Sequence, residues 1–249
     1  MSITKNLIFL LKSQSNDEKD DKYEIILREN GFQVIQVKTI DFKYKNLNLL
    51  ENKLKCPNDY AGMILSSPRC VLAVKYACKL PNEWKLKENY VVGEATYELA
   101  LKELDVECGG KETGNADNLS IRLLNNSDKI AKRFLYPHGN LKMDILKNKL
   151  SKSSITLEEV EVYETVTNEH IEEDFGKVTE SLNVFPEYIV FFSPSGLKAI
   201  ETILFQLPLN SMKLIAIGPT TESAMIKLGL TVFGVAEKPT PSDVLKLLK

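Results

Sequence analysis

The stretch Tyr188-Ile-Val-Phe-Phe-Ser-Pro-Ser-Gly196 decides how the chain is read. A short unbroken apolar run, β-branched and aromatic, is a strand buried on both faces, as parallel sheets require. Ser193-Pro194 stops it: Ser can cap the free amides of a helix start, and Pro fits the first helical turn. Strand, polar turn and helix in that order make half of a βαβ unit. The order recurs on either side. Ala61–Leu65 stops at Ser66-Ser67-Pro68-Arg69, and Tyr90–Val92 at Gly93-Glu-Ala-Thr96. Phe134–Tyr136 stops at Pro137-His-Gly139-Asn140, and Leu214–Ile217 at Gly218-Pro-Thr220-Thr221. Leu7–Leu11 and Phe32–Val37 read as strands around a helix at Tyr23–Glu29, with Gly31 as its C-terminal stop. Asn16–Lys22 reads as a solvated loop or helix start, Thr156–Val162 as an alternating strand, and Asn168–Asp174 as another helix start. Thr231–Val235 and a helix capped at Pro239-Thr-Pro241-Ser242 close the chain.

The chain also repeats itself. Ser67-Pro68 and Ser193-Pro194 stand 126 apart, and Gly93 and Gly218 stand 125 apart. The first unit of one copy lies at the N-terminus and its remainder at the C-terminus, while the middle carries a complete copy. The expected fold is therefore α/β, with two similar flavodoxin- or Rossmann-like parallel-sheet domains. One is discontinuous, 1–37 plus 165–249, and the other, 38–164, is inserted in it. The crossings are expected near Val37–Thr39 and Glu161–Val166. A substrate cleft is expected between the two, since ligands favour domain interfaces and the carboxyl ends of parallel strands.

Composition narrows the function. The 249 residues carry 32 basic and 34 acidic side chains, a net charge of −2 that calls for neither nucleic acid nor an anionic membrane. The apolar run Leu7–Leu11 is too short for a signal or membrane segment, so a soluble cytoplasmic protein is expected. Cys56, Cys70, Cys78 and Cys108 have no Cys-x-x-Cys spacing and read as free thiols. His138 and His170 have no metal-ligand partner at helical spacing; His138 reads as a solvent-facing turn residue. A phosphate-binding glycine loop, a dinucleotide fingerprint and a nucleophile elbow are missing from the sequence. What remains is the set of turns. Ser66, Ser67, Thr96, Ser193, Ser195, Thr220 and Thr221 fall where strands hand over to helices. Free helix amides with hydroxyls beside them attract anions. Each hydroxyl could equally cap only its own helix. Four such turns on paired domains suit a polyanion, and a labile substrate that needs positioning and one proton donor.

Several segments together resemble uroporphyrinogen-III synthase, in wording nearest the animal-type enzymes. They are Ser67-Pro-Arg69, Val91-Val-Gly-Glu-Ala-Thr96, Gly114-Asn-Ala116, Gly139-Asn-Leu-Lys142, Val162-Tyr-Glu-Thr165, Phe191-Phe-Ser-Pro-Ser-Gly196, Ile217-Gly-Pro-Thr-Thr221 and Pro239-Thr-Pro241. The ordered set carries the likeness, since each alone is common. The resemblance implies a two-stranded connector between the domains. It implies that hydroxymethylbilane, with its eight carboxylates, loses water and cyclises through a spiro intermediate to uroporphyrinogen III, its last pyrrole ring inverted. It further implies a monomer working without cofactor or metal. Tyr163 matches the family's prominent tyrosine and would protonate or hydrogen-bond the departing hydroxyl; the plainer reading is an amphipathic connector tyrosine. Thr96 and Thr221 match threonines at helix N-termini that would bind acetate or propionate groups. Ser67, Ser193, Ser195, Gly218 and Thr220 would offer similar contacts. Arg69 and Lys213 match basic positions that could pair with carboxylates, or else stand as solvated charges. Met143 and Cys70 depart from the family's usual residues, and Pro81–Asn89 reads as a shortened loop. The alternative is a non-catalytic two-domain protein that closes on a small polyanion.

Overall fold

A computed structural model describes residues 2–13, 21–125, 132–141, 144–181 and 183–248. Lys142 and Met143, and Asn16 to Asp20 of the acidic stretch, lie outside these residues. In chain order the described residues form β1 (Ser2–Lys12), α1 (Lys22–Glu29), β2 (Gln33–Lys38), β3 (Ile40–Tyr44), α2 (Leu47–Leu54), β4 (Gly62–Leu65) and α3 (Pro68–Ala77). Then come β5 (Tyr90–Val91), α4 (Glu94–Leu104), α5 (Ala116–Asn125), β6 (Lys132–Gly139), α6 (Ile145–Leu150) and β7 (Ile155–Thr167). The remainder is α7 (Ile171–Val178), β8 (Val184–Phe191), α8 (Pro194–Ala199), α9 (Glu201–Leu204), β9 (Lys213–Ala216), α10 (Pro219–Lys227), β10 (Gly234–Val235) and α11 (Pro241–Leu247). The shortened loop Pro81–Asn89 holds a 3₁₀ turn at Asn82–Leu86, closed over the buried indole of Trp84. No helix among the described residues is long and apolar enough to cross a membrane.

The chain divides into two compact units, Met1–Asp41 with Val166–Lys249, and Phe42–Thr165. The first holds a sheet of order β10-β9-β8-β1-β2. Its pairs β1–β2, β1–β8, β8–β9 and β9–β10 are all parallel. β1 is interior, and Leu7 to Leu11 are all buried. Side chains alternate across a strand. Leu7, Phe9 and Leu11 therefore join Phe175, Ile189, Leu197 and Met225 on one face, and Ile8 and Leu10 join Leu27, Val190 and Val244 on the other. Helices cover both faces, which is why these strands read as unbroken apolar runs.

The second unit holds a sheet of order β3-β7-β6-β4-β5. Its pairs β4–β5, β4–β6 and β6–β7 are parallel. Lys45 donates its N–H to the Val162 carbonyl, and Asn168 to the Thr39 carbonyl. Those pairings run in opposite senses along the chain, so β3 lies antiparallel to β7. Leu50, Leu54, Cys70, Val71 and Ala100 pack on one face with Leu65 and Leu135; Leu119, Leu123, Leu146 and Leu150 pack on the other with Ile64 and Phe134. Four strands of each sheet correspond: β8, β9, β1 and β2 in one stand as β4, β5, β6 and β7 in the other, while β10 and β3 are added at opposite edges.

The sequence reading stops β6 at Pro137, whereas the strand continues to Gly139. β4 pairs with β6 only at Phe134 and Leu135. Beyond that point β4 and β6 form no pair among the described residues, so the N–H that Pro lacks removes no ladder bond on that side. His138 is consequently buried inside the strand end, its Nδ1–H donating to the Gly139 carbonyl at 2.9 Å, and does not face solvent.

Candidate active site

The turns that follow the strands gather by unit. In the second unit β4 and β5 are neighbours, with Leu65 opposite Val91. Ser66-Ser67 and Val92-Gly93 therefore emerge side by side, tied by the bond from Val92 N–H to the Leu65 carbonyl. Ser67 is the N-cap residue of α3 and Gly93 that of α4, and neither helix start receives a side-chain cap. Gly93 has φ +83°, a left-handed value open to glycine at little strain. Thr96 is buried and donates its hydroxyl to the Val92 carbonyl at 3.0 Å. Its proton is thereby committed to the backbone. The donors left for an anion at this turn are the first amides of α4, which have no partner within a helix.

Tyr163 sits near the end of β7, two strands from β4 across β6. Its hydroxyl nonetheless reaches Ser67, Oη to Oγ 3.3 Å. Neighbouring strands lie about 4.8 Å apart, so the side chain must pass over β6 to arrive there. The residue of β6 opposite Tyr163 is Gly139. A Cβ there would lie 2.4 Å from the Tyr163 Cζ and 2.7 Å from its hydroxyl oxygen. The ring thus lies flush on the glycine backbone. Asn140 fixes the strand on that side: its N–H donates to the Tyr163 carbonyl, and its Oδ1 accepts from the Thr165 N–H.

Arg69, in the first turn of α3, lays its guanidinium over the Phe42 ring at 3.4 Å to the centroid. Phe42 meets Tyr163 edge to face, with centroids 6.0 Å apart. Burial draws the Arg69 guanidinium below its ordinary value, although an Arg so close to aromatics stays charged at neutral pH. Burial is also the main reason why the Tyr163 phenol lies above its ordinary value; Cys70 raises it further, while Ser67 and Arg69 pull it back. Cys70 is fully buried beneath the turn, its Sγ 3.4 Å from Ser67 Oγ, and burial pushes its thiol up. The result is a half-buried phenol that stays protonated, a cation beside it, and open helix amides nearby.

In the first unit β8 and β9 are neighbours, with Phe191 opposite Ala216. The turns Ser193–Ser195 and Gly218–Thr220 therefore also emerge together. Ser193 caps α8 by accepting the Gly196 N–H at 3.0 Å, and its hydroxyl lies 3.0 Å from that of Ser195. α10 starts at Gly218 without a side-chain cap, with Thr220 exposed and Thr221 buried. Lys213 is not brought to these turns. It opens β9, at the opposite end of the strand, and its Nζ pairs with Glu187 and the Tyr188 hydroxyl, each at 2.9 Å. Gly139 and Phe42 carry the Tyr163 site without having been read as site residues. The signal for Gly139 was a strand-end glycine two residues after a proline. That for Phe42 was the alternation Ile40, Phe42, Tyr44, which marks β3.

Comparison with known proteins matches residues 21–246 to the family described as uroporphyrinogen-III synthase HemD. The chain is 28% identical to the uroporphyrinogen-III synthase of Saccharomyces cerevisiae, covering 92% of this chain and 91% of the relative. It is 26% identical to that of Schizosaccharomyces pombe, covering 96% and 93%. Among solved structures it resembles uroporphyrinogen-III synthetase from Helicobacter pylori, with TM-score 0.66 and 19% identity over 96% of both chains. A Thermus thermophilus mutant uroporphyrinogen III synthase gives TM-score 0.59 at 12% identity, again over 96% of both. At those identities the structures bear on the fold alone, and they share its α/β build.

Proposed function

The chain belongs to the uroporphyrinogen-III synthase family, and from that premise we propose that Tyr163 delivers the proton on which ring closure of hydroxymethylbilane turns. It is an enzyme of tetrapyrrole biosynthesis acting on a small-molecule tetrapyrrole substrate. The observation that carries the reading is the placement of the Tyr163 hydroxyl, held at Ser67 with Arg69 and the uncapped start of α3 close by. In the closure the terminal C–O bond of the bilane breaks. The oxygen leaves with the electron pair, takes a proton from Tyr163, and departs as water. The substituted α-carbon of the last pyrrole replaces it at the methylene and gives the spiro intermediate. The older methylene bond to that carbon then breaks and re-forms at the ring's free α-carbon, which inverts the ring, and the proton this carbon loses returns to Tyr163. A phenol kept above its ordinary value near 10 is fully protonated at neutral pH, as a donor must be.

The carboxylates fall to the remaining features. Arg69 takes one as a charged partner. The first amides of α4, and the Thr220 N–H at the start of α10, take others as helix N-termini do. Ser195 adds a hydroxyl beside Ser193, whose own oxygen is engaged as the α8 cap. The chain is read as domains 1–37 plus 165–249 and 38–164, with β3 and β7 as the paired strands of the connector. The protein acts as a monomer in the cytoplasm and needs no cofactor.

The test is a coupled assay in which hydroxymethylbilane synthase supplies the bilane and the oxidised products are separated by isomer. Wild type should yield type III. Tyr163→Phe should fall behind spontaneous closure, so that type I accumulates. Type III formed by Tyr163→Phe at the wild-type rate removes Tyr163 from the chemistry.

A further inference from the structure

We propose that Ser67 is a positioning residue for Tyr163, its hydroxyl released from capping α3 to hold the phenol oxygen while Gly139 leaves the track on which the ring lies. The inference rests on the reading of Tyr163 as proton donor and changes the part of Ser67 from substrate contact to orienting group.

The repeat supplies an internal control. Ser67 and Ser193 occupy the same position ahead of a Ser-Pro helix start, and their backbones agree: φ −157°, ψ 160° against φ −165°, ψ 157°. Ser193 does what such a serine ordinarily does and accepts the Gly196 N–H. Ser67, in the same conformation, makes no side-chain cap. Its oxygen lies 3.3 Å from Tyr163 Oη and 3.4 Å from Cys70 Sγ. In the second unit the capping bond has been exchanged for one across the sheet.

The direction of the chain of hydroxyls follows from what each group can do. Thiol sulfur is a weak acceptor, and a buried thiol with its value pushed up keeps its proton. Cys70 S–H therefore donates to Ser67, Ser67 O–H donates to Tyr163, and the phenol proton is left over for the substrate. The reverse order would spend the phenol proton on Ser67, so that the substrate would have to compete for it; the Ser66 hydroxyl, 3.9 Å from the same sulfur, is open to Cys70 in either order. An accepted hydrogen bond also makes the phenol a better acid, so the orientation that frees the proton also eases its departure. Gly139 is needed for the same result, because any side chain there occupies the ring's path.

The experiment is a double-mutant cycle of Ser67→Ala and Tyr163→Phe on the full chain, with Ser67→Thr and Gly139→Ala beside it. Turnover is read as type III product, and Tyr163 is followed by ¹³C NMR of its Cζ carbon during a pH titration. Ser67→Ala is expected to lower kcat about tenfold with KM within about twofold, the size of one hydrogen bond lost. It should add nothing in the Tyr163→Phe background. Ser67→Thr, which keeps the hydroxyl, should restore most of kcat, and Gly139→Ala should match the loss. Ser67→Ala should also move the Cζ titration of Tyr163 upward in the absence of substrate. A loss in Ser67→Ala that is additive with Tyr163→Phe, or that appears in KM, overturns the proposal and returns Ser67 to the substrate carboxylates. An unmoved Cζ titration overturns it independently of activity. Tyr163→Phe at wild-type turnover would instead remove the underlying reading, an outcome visible without any Ser67 variant.

Discussion

Arg69 stacks its guanidinium flat on Phe42 while keeping its charge in a half-buried place next to Tyr163. Lysine cannot reproduce a planar, stacked, forked donor. Arg69→Lys should raise KM roughly 5- to 20-fold with kcat little changed, and steady-state kinetics at low ionic strength will show it. An unchanged KM assigns Arg69 to packing alone. Tyr163 leads to a pH prediction. Its active form is the protonated one, and its value in the folded protein is raised, so the proton is lost only as pH climbs above the ordinary tyrosine range. The kcat profile should show no alkaline fall assignable to this group below about pH 10. A fall centred near pH 8 that disappears in Tyr163→Phe contradicts this. Ser67 was legible as a hydroxyl where a strand hands over to a helix, whereas Arg69 and Tyr163 entered only through the family resemblance. Lys213, brought in by the resemblance and otherwise read as a solvated charge, opens β9 while the turns close it. Gly218 follows Lys213 by five residues, about 16 Å along extended chain. Lys213→Met should leave turnover within about twofold and shift stability by no more than about 1 kcal/mol, as for a partly exposed ion pair near the surface.

Helix starts are where the duplicated elements part ways, and this can be measured as stability. The Ser193 hydroxyl satisfies an α8 amide, whereas the Ser67 hydroxyl satisfies none of those of α3. Ser193→Ala should lower the free energy of unfolding by about 1 kcal/mol, and Ser67→Ala by much less, despite identical chemistry at matched positions. Denaturant titration of the two variants decides it; equal losses mean that Ser67 caps after all. The strands show what limits reading by pattern. Runs buried on both faces, such as Leu7–Leu11 and Tyr188–Phe191, announce themselves. β6 was cut short because proline signals a stop, whereas this strand's ladder with β4 reaches only Leu135 and its ladder with β7 carries on to Gly139. β3 escaped because it mixes Asp41 and Lys43 with its apolar residues, although the alternation was there.

Across the molecule, each unit draws its apolar clusters from its own residues: Phe9, Phe175 and Phe191 in one, Trp84, Leu65 and Leu135 in the other. Phe9 is fully buried, with Phe175 edge to face at 5.9 Å. Phe9→Ala should cost about 3–5 kcal/mol. Amide hydrogen exchange should then lose protection in β1, β2, β8 and β9 well before it does in β4 to β7. Equal loss everywhere would mean one cooperative unit. The repeat at an offset near 125 has its counterpart in the matched strand orders, and it was legible because the turns, not the strands, preserve its wording. The interior position of β1 has a consequence for how the protein is made. Its neighbour β8 is encoded some 180 residues later, and the ribosome adds roughly 5–20 residues per second. Leu7–Leu11 leaves the exit tunnel and waits about 10–40 s for its partner while the inserted unit is completed and collapses. Over that interval the nascent chain presents its most aggregation-prone edge, so yield in cells should depend on chaperone supply and elongation speed more than on the stability of the finished enzyme.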